Sequence, residues 1–281
     1  MRARHLAVRL ALGIVLWSGH PAMSALAESG RPGVARLGLA YEVYTAGLHV
    51  LAIDLGVGLG PAGYDVTANI RSTGIVGWLF DWRQFVEATG TLSGAGVEPL
   101  RYRSEALIHG RRRLVEMDYA MGDVAALDVF PLSRDDEDRE EVDPALRRDT
   151  VDPISALLAI VRAVSDGRGC TERLPVFDGR RRYDLVLTDR GAQPVVESYY
   201  IRADEGVRQC DFVVHPIAGH RKRAPGAREE RRLRQGSVWL APVMTGAPAT
   251  PVRIEFNGDW GETIVHLRAV WRLSGSGVSG R

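Results

Sequence analysis

Lysine is all but missing from this sequence. Lys222 is the only one among 36 basic residues, an arginine bias that fits GC-rich codon usage better than a function. Charge of one sign is missing too: the formal net charge is +1. General nucleic-acid binding needs a broad basic surface, so the near-neutral balance argues against that class. Cysteine is scarce, with Cys170 and Cys210 alone and no Cys-x-x-Cys pair. That argues against a dithiol redox centre and a zinc ribbon. No apolar run approaches the roughly 20 residues that a bilayer-spanning helix needs. No Gly-x-Ser-x-Gly elbow is present, which removes the simplest hydrolase signature.

The chain start carries an export pattern. Arg2, Arg4 and Arg9 precede the short apolar run Leu10–Trp17, and Ser24-Ala25-Leu26-Ala27 places small residues where a signal peptidase reads. Cleavage is expected after Ala27. No cysteine follows the run, so lipid anchoring is not expected, and the mature part is expected to be soluble and periplasmic. Removing the first 27 of 281 residues leaves 254, and losing three arginines moves the charge from +1 to −2. In an exported protein the two cysteines are expected to form one disulfide, Cys170–Cys210.

The rest reads mainly as strands. Leu37, Leu39, Tyr41 and Val43 alternate on one face, Ala46-Gly47 turns, and Leu48–Leu59 continues. A further turn at Gly60–Gly63 leads into Tyr64–Ser72, and strands are expected again over Val86–Leu92, Leu100–Leu107 and Arg112–Met121. One helix is expected to interrupt them: Ile75, Val76, Trp78, Leu79, Trp82, Phe85 and Val86 recur at three- and four-residue steps. Ser133–Arg148 is rich in acids and reads as a solvated loop. A second helix starts at Asp152 as cap with Pro153 in its first turn, runs through Ile154, Leu157, Leu158, Val161 and Val164, and stops at Gly167. Strands are expected over Leu174–Phe177, Tyr183–Thr188, Val195–Arg202, Phe212–Val214, Gly236–Pro242, Val252–Phe256 and Thr263–Leu273. Asp178-Gly179 and Asn257-Gly258 are the turn signals among them. Ser274–Arg281 is a Gly/Ser tail.

The sequence therefore implies an α+β fold, mainly antiparallel: an open half-barrel of curved sheet with two amphipathic helices packed on its concave face. Residues 28–273 are read as one domain. Gly58-Leu59-Gly60-Pro61-Ala62-Gly63 matches a dinucleotide fingerprint by letter, but the alternation after it is a strand where a helix is required. The acidic run Asp135–Asp143 lacks the spaced ligands of a calcium loop. His215 and His220 do not have zinc spacing. No catalytic residue, cofactor or metal ligand is assigned. The candidate ligand-binding residues are Trp78, Leu79, Trp82 and Phe85 on the aromatic helix. Arg180 and Arg181, in the string Asp178–Asp184, are candidates for a polar headgroup.

Five segments carry a family resemblance. They are Tyr41-Glu42-Val43-Tyr44 with Ala46-Gly47, Ser72–Gly77, Glu98–Tyr102, Val151–Leu157 and Val176–Asp184. In that order they resemble the exported bacterial family catalogued as domain of unknown function 3108. The pattern of strands, helix and more strands is more loosely similar to the lipoprotein-carrier half-barrel. That looser similarity implies a hydrophobic ligand such as an acyl chain. The aromatic helix beside a sheet with a hydrophobic face leads to the expectation of a non-enzymatic envelope protein that binds a hydrophobic or amphipathic ligand, with membrane association peripheral at most. An assembly factor acting on envelope proteins through its surface, and a hydrolase whose residues meet only in space, are the alternatives.

Overall fold

The computed structural model describes residues 35–94, 96–132, 139–194, 206–220, 234–258 and 260–273. The expected leader, the strand Val195–Arg202 and the tail Ser274–Arg281 lie outside them. Among the described residues, thirteen strands form one sheet. They are β1 (Ala35–Thr45), β2 (Leu48–Leu59), β3 (Gly63–Ser72), β4 (Trp82–Ser93), β5 (Gly96–Ile108), β6 (Arg111–Ala120) and β7 (Asp123–Phe130). After the helical segments come β8 (Glu172–Phe177), β9 (Arg182–Gln193), β10 (Val207–Ala218), β11 (Arg234–Pro242), β12 (Ala249–Gly258) and β13 (Gly261–Arg272). The order across the sheet is β7-β6-β5-β4-β3-β2-β1-β13-β12-β11-β10-β9-β8, with every pair antiparallel. The sheet is two meanders joined where the first strand pairs with the last. Among the described residues it is open, because β7 and β8 are its edges.

The helix α2 (Pro153–Ser165) explains the curvature. It packs against β4 and β5 in one arm and against β8 and β12 in the other. Five strands separate β5 from β12, so a helix touching both requires the sheet to curl. The sequence prepares α2 for this position. Asp152 caps it by accepting from the backbone N–H of Ile154 and Ser155, both at 2.9 Å, and Pro153 needs no donor there. Ser155, Ala156, Leu158, Ile160, Val161 and Ala163 are buried, which is what a helix apolar around most of its girth demands. The last turns are tied to both arms. Arg162 donates to the carbonyls of Gly96 and Gly94 at 2.6 Å, and Ser165 Oγ accepts from the Ala249 N–H at 2.9 Å.

The open edges are covered as well. Val151 donates to the Pro175 carbonyl and accepts from Phe177 N–H, so it lies along the free side of β8. The β8–β9 turn reaches the other arm: a Cβ on Gly179 would stand 2.2 Å from Val115 Cγ1, and Arg180 donates to the carbonyls of Phe130 and Pro131 at 2.9 Å. Phe177 of β8 accordingly shares a core cluster with Tyr64, Val66, Ala88, Tyr102 and Met117. The disulfide Cys170–Cys210 is formed, with the two Cα atoms 6.2 Å apart.

Three expectations need correction. The long aromatic helix does not exist: α1 covers only Gly74–Leu79, and Trp82, Phe85 and Val86 belong to β4. Spacing of three and four residues over so short a stretch is also met by a helical turn followed by a strand. The loop Ser133–Arg148 is not solvated throughout. Beyond residues 133–138, which are not described, Arg139 donates to the Gly219 carbonyl at 2.6 Å and Glu140 N–H to the His220 carbonyl at 2.8 Å. Val142 is buried in the core, and Pro144–Arg147 form a short 3-10 turn. Finally, β7 was not anticipated, because Met121 occupies a left-handed turn position (φ 53) that the residue type does not advertise.

Candidate functional site

Cross-strand neighbours share a face of a sheet, so the register identifies the inner row of β2. Leu59, Val57, Leu55, Ile53 and Leu51 stand opposite Tyr64, Val66, Ala68, Ile70 and Ser72 on β3. Val57, Leu55, Ile53 and Leu51 stand opposite Leu37, Leu39, Tyr41 and Val43 on β1. The four β1 side chains are buried, and so are Tyr64, Val66 and Ala68. The β2 row between them is only half-buried. An apolar row left half-exposed between two buried rows marks an interior that is not completely filled.

The unfilled space is a cleft of about 70 Å³ beneath α2. Leu39, Leu55 and Val57 line it from the sheet, Leu157 and Val161 from the helix, and Pro251 from β12. Almost no polar surface faces it. Tyr41 shows why: its hydroxyl, buried and held well above its ordinary titration range by desolvation, is spent on the Pro251 carbonyl at 2.9 Å.

A second depression, of about 220 Å³, lies at the opposite end of the strands. Arg181, Arg182, His220 and Arg234 surround Tyr183, Val214 and Pro216 there. Val214 stands opposite Arg234, and Pro216, two residues on, opposite Tyr183, so these four share one face. Arg182 is engaged with Asp184 at 2.6 Å. A third, polar groove of about 430 Å³ runs along β9–β13, and its Asp211 is fully engaged by Arg190, Gln209 and Ser237.

Against this geometry the candidate residues disperse. Trp78 and Leu79 are 85% and 65% exposed on α1. Trp82 opposes Ile108 on the inner face of β4, and its Nε1 is buried with no hydrogen-bond partner among the described residues. Phe85 opposes Asn69 and Glu105 on the other face. These four therefore do not meet on one surface: Trp78 and Leu79 stand together on α1, Trp82 and Phe85 on opposite faces of β4. Arg180 is spent on backbone carbonyls, while Arg181 lines the basic depression. The residues of the apolar cleft were readable only as strand and helix interiors, since nothing in a sequence marks which interior stays unfilled.

One buried polar cluster was not foreseen. Ser155 Oγ donates to Asp152 Oδ2 and meets the Tyr64 hydroxyl at 2.6 Å, with Asp152 and Ser155 both fully buried. Burial holds the Asp152 carboxyl above the ordinary carboxylate range. It pushes the hydroxyls of Tyr64, Tyr102, Tyr119 and Tyr183 up as well. None of the hydrogen bonds in this cluster comes from a histidine, and it is sealed from solvent, so its geometry is that of a helix cap. Elsewhere three histidines have ring partners: His49 stacks on Tyr44, His266 meets Tyr44 edge-on, and His109 meets Phe80 edge-on at 4.2 Å. Among the described residues no cluster of three or more His, Cys, Asp or Glu could hold a metal ion, and no helix is long and apolar enough to cross a membrane.

No curated protein matches the chain. Among solved structures, the chain is similar to a beta-barrel-like protein of domain of unknown function DUF1849 from Brucella abortus. The TM-score is 0.46 at 7% identity, over 86% of this chain and 99% of that one. A family model described as "Protein of unknown function (DUF3108)" matches residues 40–268, and the chain belongs to that family.

Proposed function

We propose that this protein is a non-enzymatic carrier or receptor of the cell envelope that holds the apolar portion of an amphipathic ligand between α2 and the inner face of β1–β3. In this reading α2 is the plug of the concave face. The observation that carries it is the half-buried inner row of β2, facing a cleft with almost no polar lining. Ligand sites are typically about 300 Å³ or larger. A cleft of 70 Å³ is below that, so an acyl chain would enter by parting Leu157 from Leu55 and Val57. Because α2 is tied to both arms at its C-terminal end, the side chains and not the helix would move.

The test is native mass spectrometry of the protein purified from its own envelope, with lipid extraction and displacement of a fluorescent fatty acid. A co-purifying acyl species and saturable probe binding are expected. Leu157→Gln, which puts an amide into the apolar wall at a half-buried position, should abolish both while the fold is retained. A clean mass together with no probe binding by the unaltered protein would sink the reading.

A further inference from the structure

In an antiparallel meander, alternate connections fall at the same end. The turns after β1, β5, β8 and β12, the helix α1, and the departure of the chain from β10 all lie at one end of this sheet. Six large apolar side chains in the described structure are more than 60% exposed: Leu48, Ile75, Trp78, Leu79, Trp260 and Met121. The first five stand at that end, and only Met121 is at the other. Exposed apolar residues scattered singly need no explanation, but a concentration of this kind does.

Backbone and ring contacts place these five near one another. Gly74 opens α1 against the His49 carbonyl, and Thr73 N–H donates to the Val50 carbonyl, which puts α1 beside Leu48. Phe80 follows α1 and lies 6.4 Å edge-on from Trp260, whose hairpin is fastened to the β1–β2 turn by Ala46 N–H donating to Glu262. The orientation of α1 is unusual. Ile75, Trp78 and Leu79 sit at i, i+3 and i+4, which makes one apolar face, and that face points to solvent. The small side is what meets the sheet, since a Cβ on Gly77 would stand 3.1 Å from the Ser72 backbone.

Arginines outnumber acids around the patch. Arg83 and Arg112 border it, 73% and 52% exposed in their side chains, and Arg111 stands exposed at the hairpin tip. The basic depression with Arg181, Arg182 and Arg234 opens at the same end. Acids at this end are fewer; among the described residues they include Asp81, paired with Arg83, Asp178, paired with Arg181, Glu262, and Glu140 beside His220. Arg112 pairs with Glu105, which lies further down its strand, away from the tip. Indoles and aliphatic side chains at the tip with arginines behind them match the chemistry of a lipid surface, with apolar groups at the acyl boundary and guanidinium groups at anionic headgroups.

We infer that the α1 end is a docking surface for an anionic lipid membrane, inserted through Ile75, Trp78, Leu79 and Trp260. The inference stands apart from the cleft, which lies at the other end of the strands. The experiment is co-sedimentation of the full disulfide-bonded chain with vesicles of phosphatidylcholine alone, and of phosphatidylcholine and phosphatidylglycerol in equal parts. Binding to the anionic vesicles with a blue shift of tryptophan emission is expected, along with weaker binding to the neutral ones. The double variant Trp78→Ser/Trp260→Ser should lose about tenfold or more in partitioning. Its urea midpoint should be unchanged, because both side chains are exposed. Leu157→Gln should bind vesicles like the unaltered chain. Failure of the unaltered chain to sediment with anionic vesicles, or equal binding by the double variant, overturns the inference. So does a dimer in analytical ultracentrifugation that the double variant abolishes, which would assign the patch to a second copy.

Discussion

Replacing Asp152 probes the point where helix capping, core burial and proton binding meet. Asp152→Ala removes the cap, worth about 1 kcal/mol. It also leaves the buried Ser155 hydroxyl with only Tyr64 as partner, a cost of about 1–3 kcal/mol if that bond does not compensate. The expected total is therefore about 2–4 kcal/mol. Asp152→Asn keeps an acceptor for the N–H groups of Ile154 and Ser155 and removes the buried charge, so it should cost far less. The two also differ in pH dependence. Burial raises the folded carboxyl above its unfolded value, so the native state binds the proton more tightly. The stability this contributes is fully present below the unfolded value, and it declines as pH rises toward the folded one. Other groups titrate alike in both proteins, so their difference isolates Asp152. In urea titrations from acid to neutral pH, the unaltered chain should lose stability relative to Asp152→Asn as pH rises. A gap that is constant, or that moves the other way, would refute the reasoning by showing that the capping N–H groups outweigh desolvation.

The disulfide and the contact between the arms give two further expectations. Reducing Cys170–Cys210, or replacing both with serine, opens a 40-residue loop and should cost about 4 kcal/mol on the chain-entropy account, read from urea unfolding with and without reductant. Gly179→Ala puts a methyl group against Val115 at a φ of 88°, where an L side chain is strained. It should destabilise by about 2–4 kcal/mol. Val115→Ala in the same chain should return part of that loss, and strict additivity in the double-mutant cycle would argue against the contact.

The legibility of this protein divides along sequence range. The second helix could be read because its signals are local: Asp152 as cap, Pro153 in the first turn and an apolar stripe behind them. The strands with clear alternation, Leu37 to Val43 and Tyr64 to Ile70, were legible for the same reason. The aromatic helix misled because Trp78 and Leu79 share a helical turn with Ile75, while Trp82 and Val86 share a strand face that happens to continue the spacing. Nor could the periodicity of Ile75, Trp78 and Leu79 say which way the face points. An apolar stripe defaults to the core, and here the glycine side of the turn packed better against Ser72.

By itself the sequence determined much of the local conformation: most of the strands and turns, where α2 begins, and which two cysteines are available to pair. Only the tertiary structure decided that β1 pairs with β13, that β2 keeps its inner row half-covered, and that five exposed apolar side chains gather at one end. The physical reason is that periodicity records which side chains avoid water on average. The space left unfilled and the company a rim residue keeps depend on pairings between positions as distant as Tyr41 and Leu267.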